Sequence, residues 1–512
     1  MVKHLPILTA AGLLPAAVLA QERPNIVLIL ADDMGYSDLG CMGSEIDTPN
    51  LNSLAKGGVL MTNFCNASKS CPSRASLLTG LYSWRAGMGD MANTGSTYPE
   101  YQGWLNENCV TIAEVLKESG YSTYISGKWH VGSEPEHWPD RRGFDQSFQM
   151  PNGGGVYFYP SKFPQRANRK LYRNAEEVFP EEGWYSTDGF GEVAVEYINR
   201  PENKEKPFFL YVPFIAPHYP LQAKPEDIAK YQGVYDSGYA AIREARFRRQ
   251  KELGILDSDF PLSEPTHPEW SEVEDKERQA SRMAVYAAQI DCIDQNVGRI
   301  VDALKENGYY ENTVIIFLSD NGAVMHHFDK TPDVPYGSEY CWASIGKWQN
   351  VANTPFREGK GREYEGGIKT PLIFHWPAGL KKTGFMVRDY AHITDIMPTC
   401  IELAGAKYPK EYKGHKILSA DGYSLMPLVR GRHVRQNRVL FFDHEGWSGM
   451  RQGRWKINRR IKSTEWELYD LKNDPYENVN LAEKYPRKLK RLSAKWDKMA
   501  EEMGVRPWPL DK

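Results

Sequence analysis

Several short apolar runs in the sequence share one property, because each is followed by polar residues that are suited to chemistry. They are residues 25–30 before Asp32 and Asp33, 121–126 before Lys128 and His130, 207–215 before His218, and 313–318 before Asp320 and Asn321. Continuous apolar strands that alternate with helical stretches predict a mostly parallel sheet covered on both faces. In such sheets ligands bind beyond the carboxyl ends of the strands. The sequence therefore predicts an α/β fold with its site at one edge of the sheet.

The chain has 512 residues, which is too long for one small domain. Helices are expected over residues 110–119 and, with one apolar stripe, near 282–304. A charged, aromatic stretch at about 224–279 is interpreted as an insertion, and its charge run 243–250 as a solvated helix face. Further on, 439–443, 450–458 and 466–471 are typical of antiparallel strands, and 482–503 of a closing helix. We predict a large, mixed, mostly parallel sheet sandwiched by helices over residues 21–433, followed by a smaller α+β subdomain over 434–512.

The N-terminal segment, residues 1–20, combines a short basic start, an apolar run and small residues at Val18 and Ala20. This pattern is typical of a secretory signal peptide that is cleaved near Ala20–Gln21. Two prolines interrupt the run, which makes it unsuited to a membrane span, and no other long apolar run follows. The net charge of -3 provides no global basic field, so nucleic acid is a poor candidate partner. The 7 cysteines form no C-x-x-C pair, which argues against a disulfide scaffold and a structural zinc site.

Oxygen donors follow two of the predicted central strands. Asp32 and Asp33 come after one strand, and Asp320 and Asn321 come after another. Such donors suit a hard divalent cation, Ca²⁺ or Mg²⁺, and not zinc. Either pair alone is better explained as turn residues. Their corresponding positions at two strand ends favour the metal site.

Basic residues collect at the same predicted edge. Lys128 and His130 follow one strand, His218 follows another, Lys369 lies just before the predicted strand 372–375, and Arg74 lies near a predicted helix start. Each alone would be an ordinary surface charge or a structural histidine. Together they predict an electropositive pocket in a slightly acidic protein, which suits a tetrahedral oxyanion ester.

The stretch SKSCPSR over residues 68–74 places two potential nucleophiles, Ser70 and Cys71, side by side. Ser70 precedes a predicted helix over 73–78, so its side chain would lie at the positive N-terminus of that helix. An N-cap serine with proline in the first turn explains the same residues without catalysis.

The segment SCPSR, continued by ASLLTG, resembles the C/S-x-P-x-R signature of the type I sulfatases in the alkaline phosphatase superfamily. The segments ADDMGYSDLG, GKWHVG, APH, SDNG and GGIKTP occur in the family's order, and LYDLKNDPYENVNL near the end is also similar. The resemblance covers nearly the whole chain after residue 20, and it implies a sulfuric ester hydrolase. In this family the signature Cys or Ser is oxidised to formylglycine, with one residue between it and the proline. Ser70 is therefore the implied precursor, and Cys71 is the spacer.

The resemblance also implies roles for the other predicted residues. Arg74 would hold the formylglycine hydrate, Lys128 would bind sulfate, and His130 would take a proton as sulfate leaves a covalent intermediate. His218 and Lys369 would protonate or stabilise the departing oxygen. The implied metal is Ca²⁺, with Mg²⁺ less favoured, and its ligands would be Asp32, Asp33, Asp320, Asn321 and the modified Ser70.

A serine-type motif implies a dedicated maturase of the radical-SAM kind acting before export, and with the signal peptide it predicts a periplasmic or secreted bacterial enzyme. Secretion, 14 Trp and 29 Tyr favour a sulfated carbohydrate substrate, such as a terminal galactose or hexosamine of mucin-like or glycosaminoglycan chains. Candidates for the sugar side are His326, His327, Trp104 and the insertion. Two alternatives stay open: a phosphodiesterase or phosphonate monoester hydrolase of the same superfamily, and a noncatalytic binder of sulfated glycans.

Overall fold

A computed structural model of the chain describes residues 23–92, 96–163, 169–257, 259–434 and 438–510. The predicted signal peptide lies outside the described residues. The predicted domain boundary at 433/434 adjoins residues 435–437, which also lie outside them, and it stays a prediction. Within the described ranges, none of the helices has the length and apolar character that a membrane crossing requires.

The strands and helices have the following bounds. The strands are β1 Asn25–Ala31, β2 Val59–Cys65, β3 Ser122–Lys128, β4 Gln146–Met150, β5 Phe158–Tyr159, β6 Leu171–Arg173, β7 Glu176–Val178, β8 Trp184–Tyr185, β9 Phe208–Pro213, β10 Thr313–Ser319, β11 Lys369–His375, β12 Phe385–Val387, β13 Ala391–His392, β14 Glu411–Tyr412, β15 His415–Lys416, β16 Val439–His444, β17 Trp447–Gln452, β18 Trp455–Arg459 and β19 Glu467–Asp470. The helices are α1 Pro49–Lys56, α2 Ser70–Thr79, α3 Ile112–Glu118, α4 Ser186–Ile198, α5 Pro225–Ala229, α6 Gly238–Glu252, α7 Lys276–Glu306, α8 Gln349–Ala352, α9 Glu365–Ile368, α10 Ile396–Ala404, α11 Met426–Val429 and α12 Pro486–Met503.

The main sheet has 11 strands in the order β12-β2-β11-β10-β1-β9-β3-β4-β6-β7, with β13 beside β2. Its centre, from β10 through β1, β9 and β3 to β4, is parallel throughout. Antiparallel pairs lie on either side, because β11 runs against β10 and β6 runs against β4. The predicted mixed, mostly parallel sheet is confirmed.

Alternation along the fully buried β1 shows how this sheet is covered on both faces. Val27 and Ile29 pack into one core with helix α7, whereas Ile26 and Leu28 pack into the other with α2, α3 and α10. A strand buried on both faces has no polar side to present, which is why β1 is a continuous apolar run. The predicted core-facing stripe of α7 is confirmed, since Tyr286, Ile290, Ile293, Val297, Ile300 and Leu304 are all buried in the first core.

The last part of the chain forms a four-stranded antiparallel sheet, β16-β17-β18-β19, against which α12 packs. The prediction of one strand over 450–458 is wrong. Two strands, β17 and β18, meet there at a turn in which Gly453 has a φ of 61°. A glycine accepts this left-handed backbone without the steric cost that a side chain would add. The hairpin then pairs Met450 with Ile457 on the face that α12 covers.

The charge run on helix α6 is only partly the solvated face that its composition predicted, because Glu244, Arg248 and Arg249 are exposed whereas Arg243 and Arg246 are buried. Arg246 is 1 % exposed, and its guanidinium pairs with Asp38 at 2.6 Å and with Glu45 at 2.7 Å. Asp38 also accepts hydrogen bonds from the Gly35 N–H at 2.7 Å and the Tyr286 hydroxyl at 2.7 Å. Partners that are distant in sequence thus bury the arginine, and α6 holds the loop that follows β1 in place.

Candidate active site

The carboxyl ends of β1 and β10 lie side by side, with Ala31 opposite Ser319. Their continuations therefore meet: the Asp33 N–H donates to Asp320 Oδ1 at 3.2 Å, and Asn321 Nδ2 donates to Asp33 Oδ1 at 2.7 Å. The side chains predicted from two separate strand ends form one buried cluster. Asp33 has a left-handed φ of 69°, a strained backbone state that functional sites often contain.

Ser70 is the first residue of α2, which begins earlier than the predicted residue 73. Its Oγ lies 3.0 Å from Arg74 Nε, 3.2 Å from Lys128 Nζ and 3.3 Å from His130 Nδ1. Arg74 lies one helical turn further along, so the i, i+4 spacing of α2 brings its side chain back to Ser70. The predicted nucleophile, Ser70, is thus surrounded by donors and by one imidazole.

Arg74 connects the helix to the carboxylates. It is completely buried, and its guanidinium donates to Asp320 Oδ2 at 3.1 Å and to the Lys128 carbonyl at 3.0 Å. The Lys128 ammonium in turn donates to Asp32 Oδ2. These charge-assisted hydrogen bonds compensate charges that are removed from water, and they fix the position of each group relative to Ser70.

His130 and His218 follow β3 and β9 and complete the ring of basic groups. Burial and the charges of Lys128 and Arg74 hold the pKa of His130 well below its usual value, so its ring is neutral. Burial likewise lowers the pKa of His218 to about 4. A Cβ on Gly153 would lie 1.8 Å from His130 Nε2, so the close approach of that loop to the imidazole requires glycine.

The acidic cluster fits a hard divalent cation. Among the described residues, Asp32 Oδ1, Asp33 Oδ2 and Asn321 Oδ1 are buried oxygens with no hydrogen-bond partner. Asp32, Asp33 and His218 can also bring one ligand atom each to within 4.8 Å of one another. Burial and the charge of Asp32 raise the pKa of Asp320 above its usual value, which a bound cation would reverse. Three orphaned oxygens match the preference of Ca²⁺ and Mg²⁺ for oxygen ligands.

Lys360 belongs to this site although the sequence reasoning missed it. Its ammonium donates to Asp33 Oδ1, and it lines the same cavity as Ser70 and His218. Burial opposes its charge, but Asp33 and the other carboxylates hold its pKa above the usual value, so Lys360 carries its proton at neutral pH. The one available signal was a lysine between two glycines, Gly359 and Gly361, which ordinary loops also contain.

Lys369 lies elsewhere. It is the first residue of β11 and not a loop residue before it, and its Nζ lies 2.8 Å from Glu365 Oε2 and 4.6 Å from the centre of the Phe356 ring. Glu365 also binds Lys456 at 2.8 Å. The described lining of the cavity includes Lys360 but not Lys369. The structure therefore does not bring Lys369 together with the other predicted residues, and its catalytic role stays a prediction.

A cavity of about 460 Å³ opens over Ser70. Besides the groups already described, its walls include Lys69, Glu134, Asn152, Arg169, Tyr219 and His326. Of the candidates for the sugar side, His326 lies in this lining. His327 is exposed outside the described lining, and Trp104 is 38 % exposed and stacks on His137 at 4.7 Å. A polar, mostly basic cavity around a serine suits a hydrophilic anion.

Fold and site together define a hydrolase of oxyanion esters built on a mixed α/β sheet. The chain belongs to the sulfatase family, because the family model described as Sulfatase matches residues 24–406. A second family model, N-sulphoglucosamine sulphohydrolase, C-terminal, matches residues 359–503. The protein is a sulfuric ester hydrolase, a type I sulfatase of the alkaline phosphatase superfamily.

Individual relatives agree with this assignment. The chain is 35% identical to an uncharacterized sulfatase of Schizosaccharomyces pombe, and the match covers 96% of both chains. It is 34% identical to an arylsulfatase of Klebsiella aerogenes, over 82% of this chain and 95% of that one. Among solved structures, Ps i-CgsB superposes with a TM-score of 0.69 at 30% identity and covers 95% of this chain and 93% of its own.

Proposed function

We propose that this sulfatase removes sulfate from a sulfated carbohydrate, using formylglycine formed from Ser70 and a Ca²⁺ ion held by the carboxylate cluster. One observation carries the proposal: Arg74, Lys128 and His130 converge on Ser70 Oγ within 3.3 Å. The acidic cluster with its orphaned oxygens lies beside this convergence, since Lys128 donates to both Ser70 and Asp32.

The modification and the metal would each supply one chemical property. Oxidation of Ser70 would provide an aldehyde whose hydrate is a better nucleophile than a serine hydroxyl. A Ca²⁺ ion bound by Asp32, Asp33, Asp320 and Asn321 would withdraw charge from the sulfate oxygens. Side chains of the protein itself would bind the sulfate and transfer the protons.

Arg74 and Lys128 would orient the group at position 70 and the sulfate. Both already donate to Ser70 Oγ, at 3.0 Å and 3.2 Å, and both are held by carboxylates. Donors that are fixed before the reaction stabilise developing negative charge without reorganisation. His130, at 3.3 Å from Ser70 Oγ and neutral, is the base that would take a proton from a hydroxyl at this position.

Lys360 and His218 would act on the departing sugar oxygen. Both contact Asp33, His218 at 3.6 Å, and both line the cavity. Because His218 is neutral at pH 7 and Lys360 is charged, the lysine is the better candidate for proton donor. This assignment gives Lys360 the role that the sequence reasoning gave to Lys369.

Two relatives support a carbohydrate substrate. N-acetylgalactosamine-6-sulfatase of Rattus norvegicus is 29% identical over 93% of this chain, and Ps i-CgsB has been solved in complex with k-i-k-neocarrahexaose. The polar walls of the cavity suit sugar hydroxyl groups better than an apolar ring. We therefore favour a sulfated galactose or hexosamine at the end of a mucin-like or glycosaminoglycan chain.

The proposal also includes maturation and export. Ser70 would be oxidised by a serine-type maturase of the radical-SAM kind before the chain leaves the cytoplasm. The segment before Gln21 would then be removed, which would deliver a periplasmic or secreted enzyme.

A combined mass-spectrometric and kinetic experiment tests the proposal. The chain is produced with a serine-type maturase, and the peptide that contains residue 70 is analysed before assays on defined sulfated galactose and hexosamine. We expect a peptide that lacks two hydrogens, together with sulfate release that requires Ca²⁺. Unmodified serine in active enzyme, or faster cleavage of a matched phosphate diester, would contradict it. The second result would favour a phosphorus ester hydrolase.

A further inference from the structure

The cavity over Ser70 contains a lysine that the chemistry at position 70 does not use. Lys69 lies next to Ser70 in the sequence and lines the cavity, yet the side chains hydrogen-bonded to Ser70 Oγ are Arg74, Lys128 and His130. The cationic groups that a sulfate needs are therefore present without Lys69. The Lys69 ammonium is therefore available for a function other than the chemistry at position 70.

The Lys69 ammonium is only partly compensated. Its side chain is 14% exposed, and Glu445 Oε2, from the turn between β16 and β17, lies 3.7 Å away. This distance is longer than a hydrogen bond, so Glu445 leaves the donors of the Lys69 ammonium unused. A sheltered cation with unused donors gains more from an added anion than a solvated surface lysine does.

His326 lines the same cavity as Lys69 and Lys360. Burial and the positive charges of these two lysines lower its pKa. Four acidic groups face this region: Glu445, with a side chain that is 32% exposed, Asp33 and Asp90, whose charges act on Lys69, and Glu134 in the cavity lining. Lys360 is occupied by Asp33, whereas Lys69 and His326 are two basic groups of the lining that remain available to substrate.

We propose that Lys69 and His326 form a subsite for a second anionic group on the substrate, a sulfate or a carboxylate carried near the ester that is cleaved. This inference rests on the proposed function, since it adds a feature to the same sulfated carbohydrate. The subsite would select polyanionic sugar units over units with a single sulfate. Selection arises because the second anion replaces the water around a sheltered ammonium with a charge-assisted hydrogen bond.

The test compares three substrates built on one hexose: one with a single sulfate, one with a second sulfate, and one with a carboxylate in place of that second sulfate. We expect the parent enzyme to prefer a dianionic substrate by about tenfold or more in kcat/KM, and Lys69→Met to lose this preference mainly through KM. Lys69→Arg, which keeps the charge, should retain most of it, and His326→Gln should lose part of it. Comparison of the two dianionic substrates identifies which anion the subsite takes.

Two controls keep the outcomes separate. Because Lys69 adjoins Ser70, the modified fraction at residue 70 is measured by mass spectrometry for each variant and used to normalise its rate. Lys381→Met, at an exposed lysine outside the cavity, should keep the parent's preference. Rates on the three substrates within about twofold of each other would overturn the subsite and leave the proposed function intact. Absence of sulfate release from all three by matured parent enzyme would overturn the proposed function itself.

Discussion

Replacement of Lys360 or of Lys369 by methionine should have different consequences, although sequence reasoning favoured only the second lysine. Lys360 is 9 % exposed, donates to Asp33 and lines the cavity over Ser70. Lys369 is 8 % exposed and pairs with Glu365 outside the cavity lining. Methionine removes the charge of either lysine and retains most of its volume. Comparison of the two variants thus separates the effect of losing a proton donor from the effect of losing a structural ion pair.

The expected losses of kcat and of stability follow from the groups that each lysine contacts. Loss of a general acid lowers kcat by about 10²- to 10⁴-fold, so Lys360→Met should fall in that range. Removal of one partner from a buried ion pair costs about 3–5 kcal/mol when the other is left alone. Glu365 would keep Lys456 at 2.8 Å, so Lys369→Met should cost less, about 1–3 kcal/mol of stability, with less than about tenfold loss of kcat.

The assay uses two leaving groups. Normalised to the modified fraction at residue 70, each variant is measured on an aryl sulfate with an acidic phenol and on a sugar sulfate, while thermal unfolding reports stability. A poor leaving group depends more on a proton donor, so Lys360→Met should lose more activity on the sugar sulfate than on the aryl sulfate. Lys369→Met should affect both substrates equally.

Two results would refute this reasoning. A larger loss of kcat in Lys369→Met than in Lys360→Met, at equal modification, would return the catalytic role to Lys369. An equal loss on both substrates in Lys360→Met would show that Lys360 holds Asp33 and the metal but donates no proton.

Three further outcomes are expected. Ser70→Ala should abolish sulfate release, whereas Cys71→Ala should keep most of it. Cys71 is buried away from the cavity lining, and burial raises the pKa of its thiol to about 12. Sulfate-release assays, with mass spectrometry of the peptide that contains residue 70, test both variants. Chelation should lower both activity and melting temperature, with Ca²⁺ restoring both better than Mg²⁺; an unchanged melting temperature would argue against a metal in the carboxylate cluster. Burial raises the pKa of Glu363 from 4.5 to about 8. Between these pH values the carboxyl group is protonated in the folded protein but ionised in the unfolded chain, so the free energy of unfolding falls as pH rises from 4.5 to 8. Glu363→Gln should therefore stabilise the protein at pH 8 by about 2–4 kcal/mol and have little effect at pH 4, as denaturation at both pH values would show.

Much of the fold and site could be predicted because the relevant signals are local. Strands buried on both faces are continuous apolar runs, so β1, β9 and β10 were predicted to within a few residues. Parallel neighbours end at the same edge of a sheet, so residues that follow separate strands were expected to meet. Asp33 and Asp320 do meet, at 3.2 Å between backbone nitrogen and carboxylate oxygen. The distinction between Ser70 and Cys71 is local as well, because it depends only on their spacing to Pro72 within SCPSR.

By itself, then, the sequence determined the class of fold, the edge that carries the site and most of the charged groups there, because periodicity and strand ends are properties of neighbouring residues. Tertiary structure decided which of two lysines enters the cavity, since Lys360 and Lys369 differ in the long-range partners Asp33 and Glu365. It also buried Arg246 against Asp38 and brought Glu445 to Lys69. The direction of a charged side chain depends on counter-charges that packing brings from distant segments, and no local pattern contains that information.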